Sequence, residues 1–298
     1  MKPGLYPRLP EGDYHGDPVG DAPSLSASSA NLLLTRSPRH AWENHPRLNP
    51  NWKPDEPSNR MDLGSAIHQL ILEPSAERIA VLPAKFTDWR TADAKTQRAN
   101  ARAAGMIPLL NEDYLIAVAI RDAAYAQLRG SELAGVFDQG DAEITAVWQD
   151  EPPIGPTGAL PAVWNRGRLD YLTADRRLII DLKTTETSAH PDAFVRRIAN
   201  DGMDLQAAFY KRGVKVLTGE DAKCVFLVIE VTPPYALSMV GMTPEWEAFA
   251  EHKRVRALQT WASCLASGNW HAYPNRVCYG TLPAWVEAAF MEQEARDE

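Results

Sequence analysis

Asp170, Asp181 and Lys183 place two carboxylates and an ammonium within one short stretch, Arg168-Leu-Asp-Tyr-Leu-Thr-Ala-Asp-Arg-Arg-Leu-Ile-Ile-Asp-Leu-Lys183. Residues 168–172 and 178–183 are rich in β-formers, and the polar Ala174-Asp175-Arg176 between them reads as the turn of an antiparallel hairpin. Side chains alternate along a strand, so Asp181 and Lys183 share one face while Ile180 and Leu182 take the other; Asp170 shares a face with Arg168. If the two polar faces coincide, the carboxylates converge on a patch backed by aliphatic core. Converging carboxylates repel one another unless a cation sits between them. Their oxygens suit a hard ion such as Mg²⁺, which keeps several waters and is commonly shared with phosphates. Lys183 would then stand beside the metal-bound water.

Other segments offer groups that could join this set. Residues 141–148 alternate as a strand with Glu143, Thr145 and Val147 on one face, so Glu143 is a candidate third carboxylate. Residues 62–73 form a strong helical pattern, with Leu63, Ile67, Leu70 and Ile71 at helical spacing and His68 beside that stripe. Alone, His68 reads first as a partly buried core histidine and second as a ligand. Gly64, one turn earlier, would let a strand or a phosphate come close. Residues 85–102 are basic, and Arg98 and Arg102 lie one helical turn apart; they read equally as a phosphate-facing ridge or a solvated helix face. Gln206 and Tyr210 share a face of a helix over residues 205–214, as an ordinary surface pair or a substrate-facing one.

The elements that must position these groups follow from capping and periodicity. Short helices are expected over residues 24–34 and 38–44, the second opened by Ser37-Pro38, and a longer one over 111–129. Residues 45–60 and 151–158 read as loops. Three antiparallel strands in succession end at Lys183. A short helix is expected over residues 193–198. The nearly all-apolar Cys224-Val-Phe-Leu-Val-Ile-Glu230 fits a central strand covered on both faces. Residues 243–268 form a long helix, and the aromatic-rich 270–285 read as a tail packed over the domain. Residues 1–23, with Gly, Pro and Asp and little periodicity, read as a loosely ordered, flexible N-terminal arm, leaving 24–298 as one α/β domain.

The bulk properties narrow the class. At 45% hydrophobic and 23% charged, the chain has the composition of a soluble globular protein. No apolar run approaches the length of a membrane span and the N-terminus has no apolar signal core, so the expected location is cytoplasmic, with no membrane partner. Cys224, Cys264 and Cys278 are too scattered for a compact metal-ligand pattern and read as thiols. A net charge of −8 argues against a protein that coats nucleic acid indiscriminately, but not against basic residues gathered in one groove.

Asp170-x(10)-Asp181-x-Lys183 matches the PD-(D/E)XK nuclease signature. The chain as a whole resembles the RecE-type, exodeoxyribonuclease VIII-like phage exonucleases of that superfamily. The likeness runs from Ser24 to Trp285 and is carried by the order of its blocks. These are Ser24-Leu-Ser26, Ser37-Pro-Arg-His, Gly64-Ser-Ala-Ile-His68-Gln-Leu-Ile-Leu-Glu-Pro74, Asp88-Trp-Arg-Thr, Gly167-Arg-Leu-Asp170, Ile180-Asp-Leu-Lys183-Thr-Thr and Gln206-Ala-Ala-Phe-Tyr210. The middle motif has Asp181 where many members have glutamate, a shorter arm with the same ligand chemistry.

The resemblance implies a PD-(D/E)XK core, a central mixed β-sheet flanked by helices with an N-terminal helical segment. It implies Asp170, Asp181 and His68 as metal ligands for Mg²⁺, with Mn²⁺ also suited because of the imidazole. Lys183 would be the catalytic lysine, Glu143 the acid of the preceding strand, and Gln206 and Tyr210 contacts to DNA; Arg98 and Arg102, as a phosphate-facing ridge, are the further candidates for DNA contact that the basic segment offers. The implied activity is metal-dependent exonuclease action on double-stranded DNA ends, 5′ to 3′, leaving 3′ single-stranded tails for recombination. A homo-oligomeric ring and a single-strand annealing protein as partner are implied too. Two alternatives stay open: an endonuclease of the same fold, and a non-catalytic DNA-binding module.

Overall fold

The computed structural model describes every residue except 8, 55–56, 153–157 and 298, so parts of the two expected loops lie outside the described residues. The chain opens with strand β1 (Gly4–Tyr6), helix α1 (Glu11–His15) and strand β2 (Leu25–Ser26). Helices α2 (Ala27–Thr35), α3 (Pro38–Glu43) and α4 (Asn59–Leu72) each begin at a serine whose hydroxyl accepts a first-turn backbone N–H: Ser26 from Ser29, Ser37 from His40, Ser58 from Met61. Next come β3 (Ile79–Val81), α5 (Ala92–Ala103), β4 (Ile107–Leu109) and α6 (Asn111–Leu128). The strands β5 (Gly140–Asp150), β6 (Val163–Thr173) and β7 (Leu178–Thr185) form the expected antiparallel run. Helices α7 (Pro191–Asn200) and α8 (Met203–Thr218) lead to β8 (Lys223–Glu230), followed by β9 (Leu237–Gly241), α9 (Pro244–Ser267) and α10 (Ala284–Asp297).

The main sheet has the order β1-β5-β6-β7-β8-β9, with β2 paired in parallel to the start of β6. β7 and β8 are parallel while the other neighbours along this path are antiparallel, so the sheet is mixed. A parallel pair needs a crossover, and α7 with α8 supplies it. One face is covered by α2, α7, α8 and α9 through Leu33, Phe194, Phe209 and Trp261. The other is covered by α4 and α6 through Ile67, Ile71 and Ile120, against Ile180, Leu182 and Leu227. β7 and β8 contribute to both clusters, which is why their sequences read as nearly unbroken apolar runs. Two glycines let α8 press onto the sheet: a Cβ on Gly167 would stand 2.9 Å from the Tyr210 ring, and one on Gly213 would stand 2.8 Å from Trp148.

Residues 1–23 depart from the loose arm expected of them. β1 extends the sheet along β5, with Leu5 opposite Ala146. Asp17 is buried and accepts from Ser24 N at 3.0 Å and Ser24 Oγ at 2.5 Å, and Arg166 Nη1 lies 3.1 Å from its carboxylate. Arg47 donates to the carbonyls of Val19, Asp21 and Ala22. Burial pushes His45 down to about 4, so its ring is neutral and bonds the Ser24 carbonyl at 3.0 Å. The anchors are polar and act through tertiary contacts, which apolar periodicity does not report.

The C-terminal tail also differs. Trp270 packs edge-on to Trp261, with ring centroids 5.0 Å apart, and Tyr273 lies near His40. Beyond them Tyr279 is 94% exposed and Trp285 74%, and α10 adds a helix that the pattern did not suggest. Aromatic content shows that a segment would gain from cover, not which surface supplies it. β3, β4 and β9 are too short to announce themselves by alternation.

Removing Asp17 leaves the Arg166 guanidinium buried without its carboxylate. Asp17→Ala is expected to lower stability by about 3 kcal/mol and to open residues 1–23 to limited proteolysis. Parental stability and protease resistance would contradict this account of the arm.

Candidate active site

The site begins where β6 and β7 part. Their ladder pairs Tyr171 with Ile180 and Leu172 with Ile179; beyond that, β6 turns to β2 and β7 continues along β8. Asp170 and Asp181 are the first residues past the last pair, so the fork opens between them. Leu182 would lose its ladder partner there, but its N–H donates to Asp170 Oδ2 at 2.8 Å. The carboxylate thus takes the place of a backbone carbonyl, which fixes its position.

Into this fork come α4 and β5. One ligand atom each from His68, Glu143 and Asp170 lie within 4.8 Å of one another, and His68 Nδ1 is 3.8 Å from Asp170 Oδ2. Glu143 sits opposite Asp170 in register, but the regular pairing skips this position because Glu143 is left-handed, at φ 50°. That conformation costs a non-glycine residue about 1–2 kcal/mol, and such strain concentrates at functional sites. Arg168 holds the result: its Nε donates to Glu143 Oε2 at 2.6 Å and its Nη1 to the Leu9 carbonyl at 2.8 Å.

Asp181 stands apart from the three. Its side chain is 1% exposed, and the Lys183 ammonium lies against its Oδ2. Apart from that ammonium, neither carboxylate oxygen has a hydrogen-bond partner among the described residues. The clustered set is therefore His68, Glu143 and Asp170, with Asp181 held by Lys183, rather than Asp170, Asp181 and His68.

The electrostatics follow from burial. Desolvation pushes Asp170 and Asp181 each up to about 6, against the opposing pull of Lys183. Burial, and then Lys183, push His68 down, leaving a neutral ring fit to ligate. Burial alone would push Lys183 down too, but Asp181 and Asp170 outweigh it and raise it, so it stays an ammonium. An imidazole, two nearby carboxylates and a third carboxylate whose one partner is the Lys183 ammonium form a donor set that a divalent cation would satisfy. Ligands opposite each other on Mg²⁺ are about 4.2 Å apart, and the His68–Asp170 separation of 3.8 Å falls within that span.

The remaining sequence-predicted residues divide. Gln206 Nε2 donates to the Tyr210 hydroxyl at 2.9 Å, and Tyr210, buried and raised well above the phenol range first by desolvation, feels Asp181 and Asp170. This pair belongs beside the acids. Arg98 and Arg102 do not form a free ridge: both donate to Asp62 Oδ2, at 3.2 and 2.8 Å, and both reach the Pro57 carbonyl. Arg98 also lies over the Trp89 ring. They clamp α5 to the start of α4. Sequence reasoning missed the grip of Arg168 on Glu143, and Tyr14, whose ring lies beside Arg166 and whose burial raises its phenol. The position of Arg168 two residues before Asp170 was the available signal.

Both raised carboxyls bind protons more readily folded than unfolded. Their contribution to stability is full below their ordinary 3.8 and lost as pH rises through about 6. With chelator at pH 8, Asp170→Asn should therefore be more stable than the parent by about 1–3 kcal/mol, a gain that fades toward about pH 4. Thermal melts across pH check this; an Asp170→Asn protein less stable than the parent at pH 8 would contradict it.

The fold has a counterpart among solved structures. A crystal structure described as “Putative exonuclease” from Eubacterium rectale superposes with a TM-score of 0.53 at 15% identity, covering 94% of this chain and 96% of that one. At that identity the likeness is one of fold. SSO0001 (TM-score 0.27, 13% identity, 66% of this chain and 84% of that one) and Rai1 of Scheffersomyces stipitis (0.25, 12%, 89% and 77%) are too distant in shape to carry an argument. No curated protein matches the chain. The family model described as a PDDEXK-like domain of unknown function, DUF3799, matches residues 27–279. That match takes in the fork, the histidine helix and α8, and the chain belongs to this PDDEXK-like family.

Proposed function

We propose that the protein is a metal-dependent nuclease that hydrolyses phosphodiester bonds at double-stranded DNA ends, a RecE-type exonuclease. The observation that carries this reading is the meeting of His68, Glu143 and Asp170 in a strand fork that also holds the Asp181–Lys183 pair. A phosphodiester is anionic and repels hydroxide. A divalent ion bound by His68, Glu143 and Asp170, with Asp181 completing the set, would neutralise charge on the phosphate and lower the pKa of the attacking water. The chemistry of the donor set suits Mg²⁺, and the imidazole makes Mn²⁺ acceptable.

The residues divide the work. Lys183, kept protonated by the acids, donates a hydrogen bond to orient the nucleophilic water and steadies charge on the phosphoryl oxygens. Asp170 is held by Leu182 N and Glu143 by Arg168, so both acids are in place before substrate arrives. Tyr210, its hydroxyl kept protonated and its oxygen occupied by Gln206, is free to donate to the DNA backbone.

The RecE-type reading carries finer expectations: 5′ to 3′ polarity, 3′ single-stranded tails for phage-type recombination, a homo-oligomeric ring and a single-strand annealing protein as partner. Exposed Tyr279, Trp285 and Phe290 in the C-terminal segment support association with another chain. Among the described residues no helix is long and apolar enough to cross a membrane, and cytoplasmic work on DNA accords with that.

The test is degradation of linear and closed-circular duplex DNA with Mg²⁺, with Mn²⁺ and with chelator. Linear DNA alone should be lost, only with metal, and Lys183→Ala should reduce the rate by about 10³-fold or more. Cleavage of closed circles would move the reading to an endonuclease, and folded protein that cleaves neither would overturn it.

A further inference from the structure

Beside the cluster, where α4 faces the end of β7, a small cleft is lined by Arg60, Leu63, Gly64, Thr184, Thr185 and Glu186. Arg60, Gly64 and His68 recur every four residues on α4 and so form one row, from the cleft to the candidate ligand. Thr184 follows Lys183 directly on β7.

Gly64 is not explained by the fold. It lies inside a helix, where glycine is unfavourable, and its φ is not positive. An added Cβ would meet only Thr184 Oγ1, at an ordinary 3.8 Å. Neither glycine's conformational freedom nor its small size is needed by the protein itself, and what its missing side chain provides is a small gap between α4 and Thr184. Arg60 borders that space. Its side chain is 69% exposed and lies 3.2 Å from Glu186 Oε1, itself 55% exposed. An exposed pair of this kind holds weakly and exchanges its carboxylate for another anion readily. The Thr184 hydroxyl makes no hydrogen bond among the described residues and is free to donate.

We propose that this cleft takes the DNA backbone phosphate next to the one being cleaved. Arg60 clamps the phosphate on displacing Glu186, Thr184 donates a hydrogen bond, and Gly64 leaves room for a phosphate oxygen to come close to the helix. The inference rests on the nuclease reading and names where its substrate strand lies. Arg60 contacts substrate and positions it; the reacting atoms stay with the neighbouring cluster.

The test is binding of a fluorescein-labelled duplex DNA in chelator, read by anisotropy against salt, together with thermal melts and linear-DNA degradation with Mg²⁺. One phosphate contact contributes a salt slope of about 0.9, so Arg60→Ala should bind about eightfold weaker at 0.1 M salt and lose about one unit of slope. Glu186→Gln, which frees Arg60, should bind more tightly. Gly64→Ala should melt higher than the parent by about 2–4 °C yet bind DNA several-fold more weakly, an opposition that structural damage would not produce. If the parent cleaves DNA but Arg60→Ala and Gly64→Ala bind with parental affinity and slope, the cleft proposal falls and the nuclease reading stands. If the parent neither binds nor cleaves duplex DNA, both fall.

Discussion

A buried Asp181 and a mostly buried Asp170, with less positive charge than they need, set the terms for the rest of this structure. Asp170 and Asp181 are both pushed up to about 6 by burial, and Lys183 beside them offsets only part of that cost. A chain selected for stability alone would put apolar groups in such a fork. The surrounding structure instead fixes the acids: the N–H of Leu182 anchors Asp170, and β6 and β7 part because β6 turns to β2 while β7 continues along β8. The fork is thus a preformed donor set whose free energy would fall if a cation entered.

The same logic extends outward. Glu143 reaches the cluster from a left-handed backbone, a strain retained because Arg168 and the β5–β6 ladder on either side hold it. Arg168 also grips the Leu9 carbonyl, and Asp17 with Arg166 fastens the next stretch of chain. The N-terminal residues therefore buttress Arg168, and residues 9–17 link Asp17 to the carbonyl that this arginine grips.

What was legible in the sequence was local. The facing of Asp181 and Lys183 follows from strand alternation, and the helix bearing His68 from its apolar period. The ladders confirm the antiparallel run that ends at Lys183. The role of His68 was not legible from its own segment, because a histidine beside an apolar stripe looks the same whether or not acids face it. Arg98 and Arg102 show the reverse failure: charge spacing displays a ridge, but their partner Asp62 lies 36 and 40 residues away and only the fold brings it in. Glu143 was expected from alternation and arrives by a backbone conformation that no pattern of residue types announces. The N-terminal arm and the C-terminal tail went astray for one reason: composition reports whether a segment wants burial, and tertiary contacts decide whether it gets it.

We read the fork as a divalent-metal site built from His68, Glu143 and Asp170, with Asp181 within reach. The most direct measurement is a crystal grown with Mn²⁺ and examined by anomalous scattering at the manganese edge. An anomalous peak is expected at about 2.0–2.3 Å from an imidazole nitrogen of His68 and a carboxylate oxygen of Asp170, with Glu143 or Asp181 as a further ligand. Absence of a peak in the fork at saturating Mn²⁺, with the Lys183–Asp181 contact unchanged, would contradict it.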